Sequence, residues 1–254
     1  MKSRKVAMCL MAHPDDCELL AAGTLVLLAN KGWKIHIVTM TPGDVGSTTH
    51  RPDEIAAIRR REGAKAAAVI GGQYHCLESR DLCVTYDEIT LRRAMSLTRE
   101  ICPALVFTHS LDCYLMDHEV TARIARTACF GYPVPNAVPG TMPAGARIPH
   151  LYYADAIEGV DAYGRPIEPT TFVDISAVIQ TKTKMLHAHA SQRDWLRAHQ
   201  GVDEYTRSMK AWSHRRGEQI GAKYAEGFRQ HKGHGHPKDC ILQHELGKVV
   251  HLKG

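Results

Sequence analysis

The residues able to do chemistry come in two short clusters. The first is Ala12-His13-Pro14-Asp15-Asp16, directly after the apolar stretch Val6–Met11. It places one imidazole and two carboxylates at the end of what reads as a buried strand. The second is Asp117-His118, which follows the apolar run 104–108. Histidine and aspartate are ordinary ligands for a catalytic zinc, and a spare carboxylate beside them is an ordinary general base. His13, Asp16 and His118 are therefore assigned as three metal ligands with one coordination position open. Pro14 stiffens the turn, and the spacing of three lets His13 and Asp16 converge while Asp15 points toward the attacking water as base. This combination fits metal-assisted hydrolysis by zinc or another divalent transition metal. A plainer reading has Asp15 or Asp16 capping the following helix. Asp117 is read as a residue that orients a ligand or the base from behind, or as a helix N-cap.

The elements that must position these clusters follow a regular alternation. Strands are expected over residues 6–11, 34–41, 73–77, 104–108, 151–154 and 171–174. Helices are expected over 18–31, 53–70, 86–101, 117–130, 176–192 and 203–228. Strand and helix alternate from the start, which predicts an α/β fold with a mainly parallel sheet covered on both faces. In the common 3-2-1-4-5 strand order, strands one and four are neighbours. The two clusters then meet at the topological switch point, where such sheets bind ligands. Residues 131–149 carry five prolines and three glycines. That long loop is expected to shape a binding site.

Composition narrows the classes. No apolar stretch approaches the roughly 18 residues of a membrane span, and the basic start is too soon interrupted by charge for a signal peptide. The chain is read as cytoplasmic and as a single domain over residues 1–254. Eight cysteines without a Cys-x-x-Cys pair read as reduced, mostly buried thiols. The net charge of +5 is spread among few aromatics, which argues against nucleic acid as a partner. Five of the sixteen histidines fall after residue 230, so a flexible, basic, His-rich tail is expected from there. No Gly-x-Gly-x-x-Gly follows the first strand, and carboxylates there would repel a pyrophosphate, which argues against a dinucleotide site.

Ala12-His13-Pro14-Asp15-Asp16-Cys17-Glu18, followed by Ala22-Gly23-Thr24-Leu25, resembles the signature of the LmbE-like/PIG-L family of zinc-dependent de-N-acetylases. Further similarities are Gly43-Asp44-Val45-Gly46-Ser47, Arg59-Arg60-Arg61-Glu62, Asp112-Cys113-Tyr114-Leu115-Met116-Asp117-His118-Glu119, His189-Ala190-Ser191-Gln192 and Tyr224-Ala225-Glu226-Gly227-Phe228. The resemblance runs from about residue 6 to 229. It implies a Rossmann-like three-layer α/β/α fold and removal of the acetyl group from an N-acetylglucosamine-type conjugate. It implies the same ligands (His13, Asp16, His118), Asp15 as base, a small N-acetylated sugar conjugate as partner, and a homo-oligomer.

One departure matters. Many members read His-Pro-Asp-His in the second motif, and this chain has Leu115 where the first of those histidines stands. His189 is the candidate to replace it as general acid and oxyanion stabiliser, with His109 and His187 as weaker rivals. Arg59 either reaches the substrate or pairs with Glu62 on the helix surface. Tyr114 is a candidate to stack on a sugar or to hydrogen-bond the oxyanion. A second function remains open on the missing histidine: a catalytically altered metal protein that binds a glycan or conjugate.

Overall fold

The computed structural model describes residues 4–193 and 204–253. Strand β1 (Val6–Met11) lies at its centre. Ala7, Cys9 and Met11 face one layer of helices and Met8 and Leu10 the other, each at most 1% exposed. Burial on both faces is what an inner parallel strand requires. On one side β1 pairs in parallel with β2 (Lys34–Thr39), and on the other with β4 (Leu105–Thr108). Strands β3 (Gln73–Cys76) and β5 (His150–Ala154) extend the parallel set outward. The 3-2-1-4-5 order expected from the sequence is thus the order found. Beyond β5 the sheet turns antiparallel through β7 (Ala225–Gln230), β6 (Thr171–Asp174) and β8 (Val250–Leu252), giving eight strands.

Helices α1 (Asp16–Leu20), α2 (Ala22–Asn30), α3 (Pro52–Ala68), α6 (Ile179–Leu186), α7 (Glu204–Glu218) and α8 (Ile241–Leu246) contribute to the core on one face. Helices α4 (Glu88–Ile101) and α5 (Met116–Gly131) cover the other. The result is the three-layer α/β/α arrangement. Five of the eight cysteines are buried and all are free thiols. Among the described residues, no helix is long and apolar enough to cross a membrane.

Several expected elements come out differently. The helix expected over 18–31 is two helices, broken at Ala21. The helix expected over 203–228 ends at Glu218, and its start at residue 203 lies outside the described residues. Its last part is β7, a strand paired on both sides. Ala225-Glu226-Gly227-Phe228 has no β-branched residue, so local preference favoured a helix and tertiary pairing overrode it. The helix expected over 176–192 breaks at residues 187–189. The segment expected as a flexible tail holds α8 and β8, and β8 hydrogen-bonds to β6 at the sheet edge. Loop 131–149 is pinned away from the site, because the buried Arg99 guanidinium donates to the carbonyls of Tyr132, Val134 and Val138.

The break at Ala21 has a physical reason. Helix α2 has no side-chain cap of its own. The Glu226 carboxylate on β7 accepts the N–H of Gly23 (2.8 Å), the N–H of Thr24 (2.7 Å) and the Thr24 hydroxyl (2.6 Å). It thereby satisfies donors that a helix start leaves open. Lys182 of α6 donates to the same carboxylate at 2.7 Å, and both side chains are at most 2% exposed. Removing one partner leaves the other charge buried alone. Lys182→Met is expected to lower the unfolding free energy by roughly 3–5 kcal/mol in urea titration; a loss below 1 kcal/mol would show that the pair is solvated.

The His-rich segment makes a second prediction. The His236 imidazole is pushed down to about 4, by burial first and then by neighbouring His231. Its pKa is therefore lower in the folded chain than in the unfolded one. The stability it contributes is complete above about pH 6.5 and is lost as the pH falls toward 4, because only the unfolded chain takes up the proton there. Urea midpoints should fall over this window, and His236→Gln should reduce the slope. A variant with an unchanged slope would contradict the assignment.

Candidate active site

Both clusters lie where the carboxyl ends of β1 and β4 leave the sheet. Leu10 is level with Thr108, and just beyond, the Ala12 N–H donates to His109 Nε2 at 3.0 Å. This contact joins the two strand ends. At Asp15 the chain turns through φ 110°, a left-handed conformation that costs a non-glycine residue energy. The strain separates the two carboxylates. Asp16 turns back, its Oδ2 accepting the His13 N–H at 2.7 Å, while Asp15 lines a cavity of about 800 Å³. Neither caps α1 through its side chain, so the plainer capping role does not apply.

The rings of His13 and His118 have centroids 5.3 Å apart. Asp16 lies between them, with Oδ2 3.3 Å from His13 Nδ1 and Oδ1 3.6 Å from His118 Nε2. One ligand atom from each of these residues falls within 4.8 Å of the others, which fits a divalent ion. Among the described residues, His13, Asp81 and Asp117 form the other such group. Their carboxylates have other partners. Asp117 accepts the N–H of Leu82 (2.7 Å) and of Val84 (3.2 Å), and Asp81 accepts the Leu82 N–H at 3.0 Å. Both also meet His13 Nε2, at 2.9 Å for Asp81 and 3.2 Å for Asp117. A proton on Nε2 directed at these carboxylates leaves Nδ1 free to face Asp16 as the ligand atom. Asp117 is thus placed to orient the His13 ring, and the N-cap position of α5 is held by Leu115.

The electrostatics agree with a cation at this point. Burial alone would depress the His13 imidazole, but the carboxylates of Asp117, Asp16 and Asp81 outweigh it and raise the ring well above its ordinary value. Burial also opposes the charge on Asp16, yet His118, His109 and His13 hold that carboxyl well below its usual range. His118 is pushed down to about 3 by burial and by His109, so it is a neutral imidazole, the form that binds metal. The acid cluster demands positive charge, and a donor set of two imidazoles and a carboxylate suits zinc.

Arg59 is buried and does not pair with Glu62. Its Nη2 donates to the Pro14 carbonyl (2.7 Å) and to Asp15 Oδ2 (3.2 Å), and its Nη1 to the Gly43 carbonyl (3.3 Å). A Cβ on Gly43 would lie 2.2 Å from Arg59, and one on Gly46 would lie 2.7 Å from it. These two glycines make room for the guanidinium. Glu62 instead accepts the Ser191 N–H and hydroxyl, at 2.9 and 2.6 Å. Gln192 donates to the Gly46 carbonyl at 2.9 Å.

His189 is not at the cavity. The break at 187–189 turns its ring into the interior, fully buried, with Nε2 3.3 Å from Glu18 Oε2. Burial works against its charge, but Glu18 and Asp15 raise it above its ordinary value. It sits behind Asp15, too deep to touch a substrate, which corrects its assignment as general acid. His187 is exposed and meets Thr206. His109 is buried with its ring stacked on His118, centroids 4.0 Å apart. Tyr114 lines the cavity, 67% exposed, edge-on to His118.

Sequence reading missed Tyr205, Asp81 and Cys113. The Tyr205 hydroxyl donates to Asp15 Oδ2 at 2.5 Å. No motif marks it, because it arrives from α7, 190 residues downstream of Asp15. Asp81 had a weak signal in Arg80-Asp81, and Cys113 lay inside a motif that was quoted for its other residues. Burial pushes the Asp15 carboxyl up, with Arg59 partly offsetting it, in the direction that makes a carboxylate a better base. His118→Ala is expected to remove most bound metal, read by elemental analysis of protein dialysed against zinc. Unchanged stoichiometry would exclude His118 from the ligand set.

The chain is similar to known proteins. The PIG-L family model, described as GlcNAc-PI de-N-acetylase, matches residues 8–129. The chain is 28% identical over 197 residues to the 4-oxalmesaconate hydratase of Pseudomonas putida, covering 74% of each chain. It is 27% identical over 236 residues to the diacetylchitobiose deacetylase of Thermococcus kodakarensis, covering 89% of this chain and 82% of that one. The structure of the N,N'-diacetylchitobiose deacetylase from Pyrococcus horikoshii matches 91% of this chain and 85% of that one, with a TM-score of 0.74 and 25% identity. With its two polar clusters joined across β1 and β4, the chain is similar to the LmbE-like PIG-L family of de-N-acetylases.

Proposed function

We propose that the protein is a zinc-dependent hydrolase that removes the acetyl group from an N-acetylglucosamine-type conjugate, releasing acetate and a free amine. One observation carries the reading: the Asp15 carboxylate lines the same cavity as His13, Asp16 and His118 and is held there by Arg59 and Tyr205. When bound, zinc supplies Lewis acidity, polarising an amide carbonyl and acidifying water. His13, Asp16 and His118 hold it. Both hydrogen bonds to Asp15 use Oδ2, so Oδ1 is the oxygen that takes the proton from the attacking water. The Tyr205 and Arg59 donors fix the plane of the carboxylate, which keeps the base aimed before substrate arrives. The proton on Asp15 then passes to the departing nitrogen. Leu115 lines the cavity where a histidine is common in the family, and Asp15 therefore serves as both base and acid. Tyr114 offers an aromatic edge for a sugar ring.

A second reading has one observation in its favour. The Pseudomonas relative of similar identity is a hydratase, and water addition to an unsaturated acid would use the same base. The deciding experiment measures acetate release from N-acetylglucosamine conjugates by the zinc-loaded chain. Chelation should abolish it, and Asp15→Ala should lower kcat by roughly 100-fold or more with zinc content unchanged. No acetate from any amide, together with loss of absorbance from a conjugated unsaturated acid, would replace the first reading with the second.

A further inference from the structure

The two ring nitrogens of His118 face different chemistry. Nε2 looks toward Asp16 Oδ1 at 3.6 Å, inside the candidate ligand set. Nδ1 lies 3.2 Å from the Sγ of Cys113, a thiol only 4% exposed. A neutral imidazole that binds an ion through one nitrogen carries its proton on the other. The group that accepts this proton fixes the tautomer and the ring's angle. His109 and Tyr114 also touch the ring, one stacked at 6° and one edge-on at 87°. These contacts hold the plane of the imidazole, and the partner of Nδ1 is the Cys113 sulfur.

We propose that Cys113 is the positioning residue of the third ligand: its sulfur accepts the Nδ1–H of His118 and so commits Nε2 to the ion. The sulfur is itself held in place. The Cys113 N–H donates at 3.2 Å to Oε1 of Glu119, the residue after His118 on α5. This bond ties the loop after β4 to the first turn of α5, which carries His118. The reverse polarity, with the thiol donating to Nδ1, would put the proton on Nε2 and remove His118 from the ligand set. The two polarities are chemically exclusive in the loaded protein. Thiol sulfur is a weak acceptor beside the carboxylate or carbonyl that usually takes this place. His118 is consequently a less basic ligand than a carboxylate-backed histidine.

The inference depends on His118 as a ligand and not on the reaction, so the test reads metal binding alone. Zinc dissociation constants of the full chain would be measured by competition with a chromophoric chelator. Cys113→Ala should weaken zinc by roughly 10–100-fold. Cys113→Ser keeps an acceptor and should stay within about threefold of the parent. Equal affinity of parent and Cys113→Ala overturns the proposal, and so does a Cys113→Ser variant as weak as the alanine one. The second arm needs no variant and decides the matter if Cys113→Ala fails to fold. Long-range proton–nitrogen NMR of the zinc-loaded parent should show His118 protonated at Nδ1. A proton at Nε2, or a parent chain that binds no zinc, overturns the proposal. Acetate release enters neither arm, so failure of the deacetylase reading would show separately.

Discussion

Three carboxylates crowd the space around one imidazole with a fourth beside them, and the rest of the site answers that crowding. Asp16, Asp81 and Asp117 all lie within hydrogen-bonding or ion-pair distance of His13, and Asp15 adjoins Asp16 in the chain. All of them are largely buried. Buried charge without compensation is costly, so such a group persists only where positive charge or directed donors meet it. Each partner here does one part of that work. His13 answers Asp81 and Asp117 on one nitrogen and Asp16 on the other. Arg59 and Tyr205 answer Asp15, and the N–H groups of Leu82 and Val84 answer Asp81 and Asp117. What remains is a place for a cation between His13, Asp16 and His118.

The same requirement explains parts of the chain far from the ligands. Arg59 can reach Asp15 only because residues 43 and 46 lack side chains. The loop that carries those glycines is tied by Gln192, and Ser191 is tied to Glu62 one turn beyond Arg59. The sequence segments that looked like separate weak signals are packed together around Asp15 and Arg59. His189 joins them as a buried imidazole behind Asp15, paired with Glu18 and away from the cavity.

The antiparallel half of the sheet supports α1 and α2 by a similar economy. Glu226 reaches from β7 to the open start of α2 and meets Lys182 from α6. One carboxylate therefore caps a helix, neutralises a buried ammonium and joins three elements. Helix α1 directly precedes this junction and carries Asp16 at its first position. The proposed ligand set is thus braced from the far side of the sheet as well as from β1 and β4.

Residue type and spacing indicated a parallel sheet, and the common 3-2-1-4-5 order, once assumed, brought His13, Asp16 and His118 together. Strand alternation and short-range patterns are local properties, and the switch point follows from strand order. The capping alternatives for Asp15, Asp16 and Asp117 needed coordinates, since a cap and a ligand carry the same residue types. Sequence also misjudged residues 224–228 and the last stretch, because a strand's place in a sheet depends on partners that local composition does not contain. Tyr205, Asp81, and the sulfur behind His118 were decided by tertiary structure alone. Their roles come from one atom's distance to another across long chain separations or within a loop, and such distances exist only after the chain has packed.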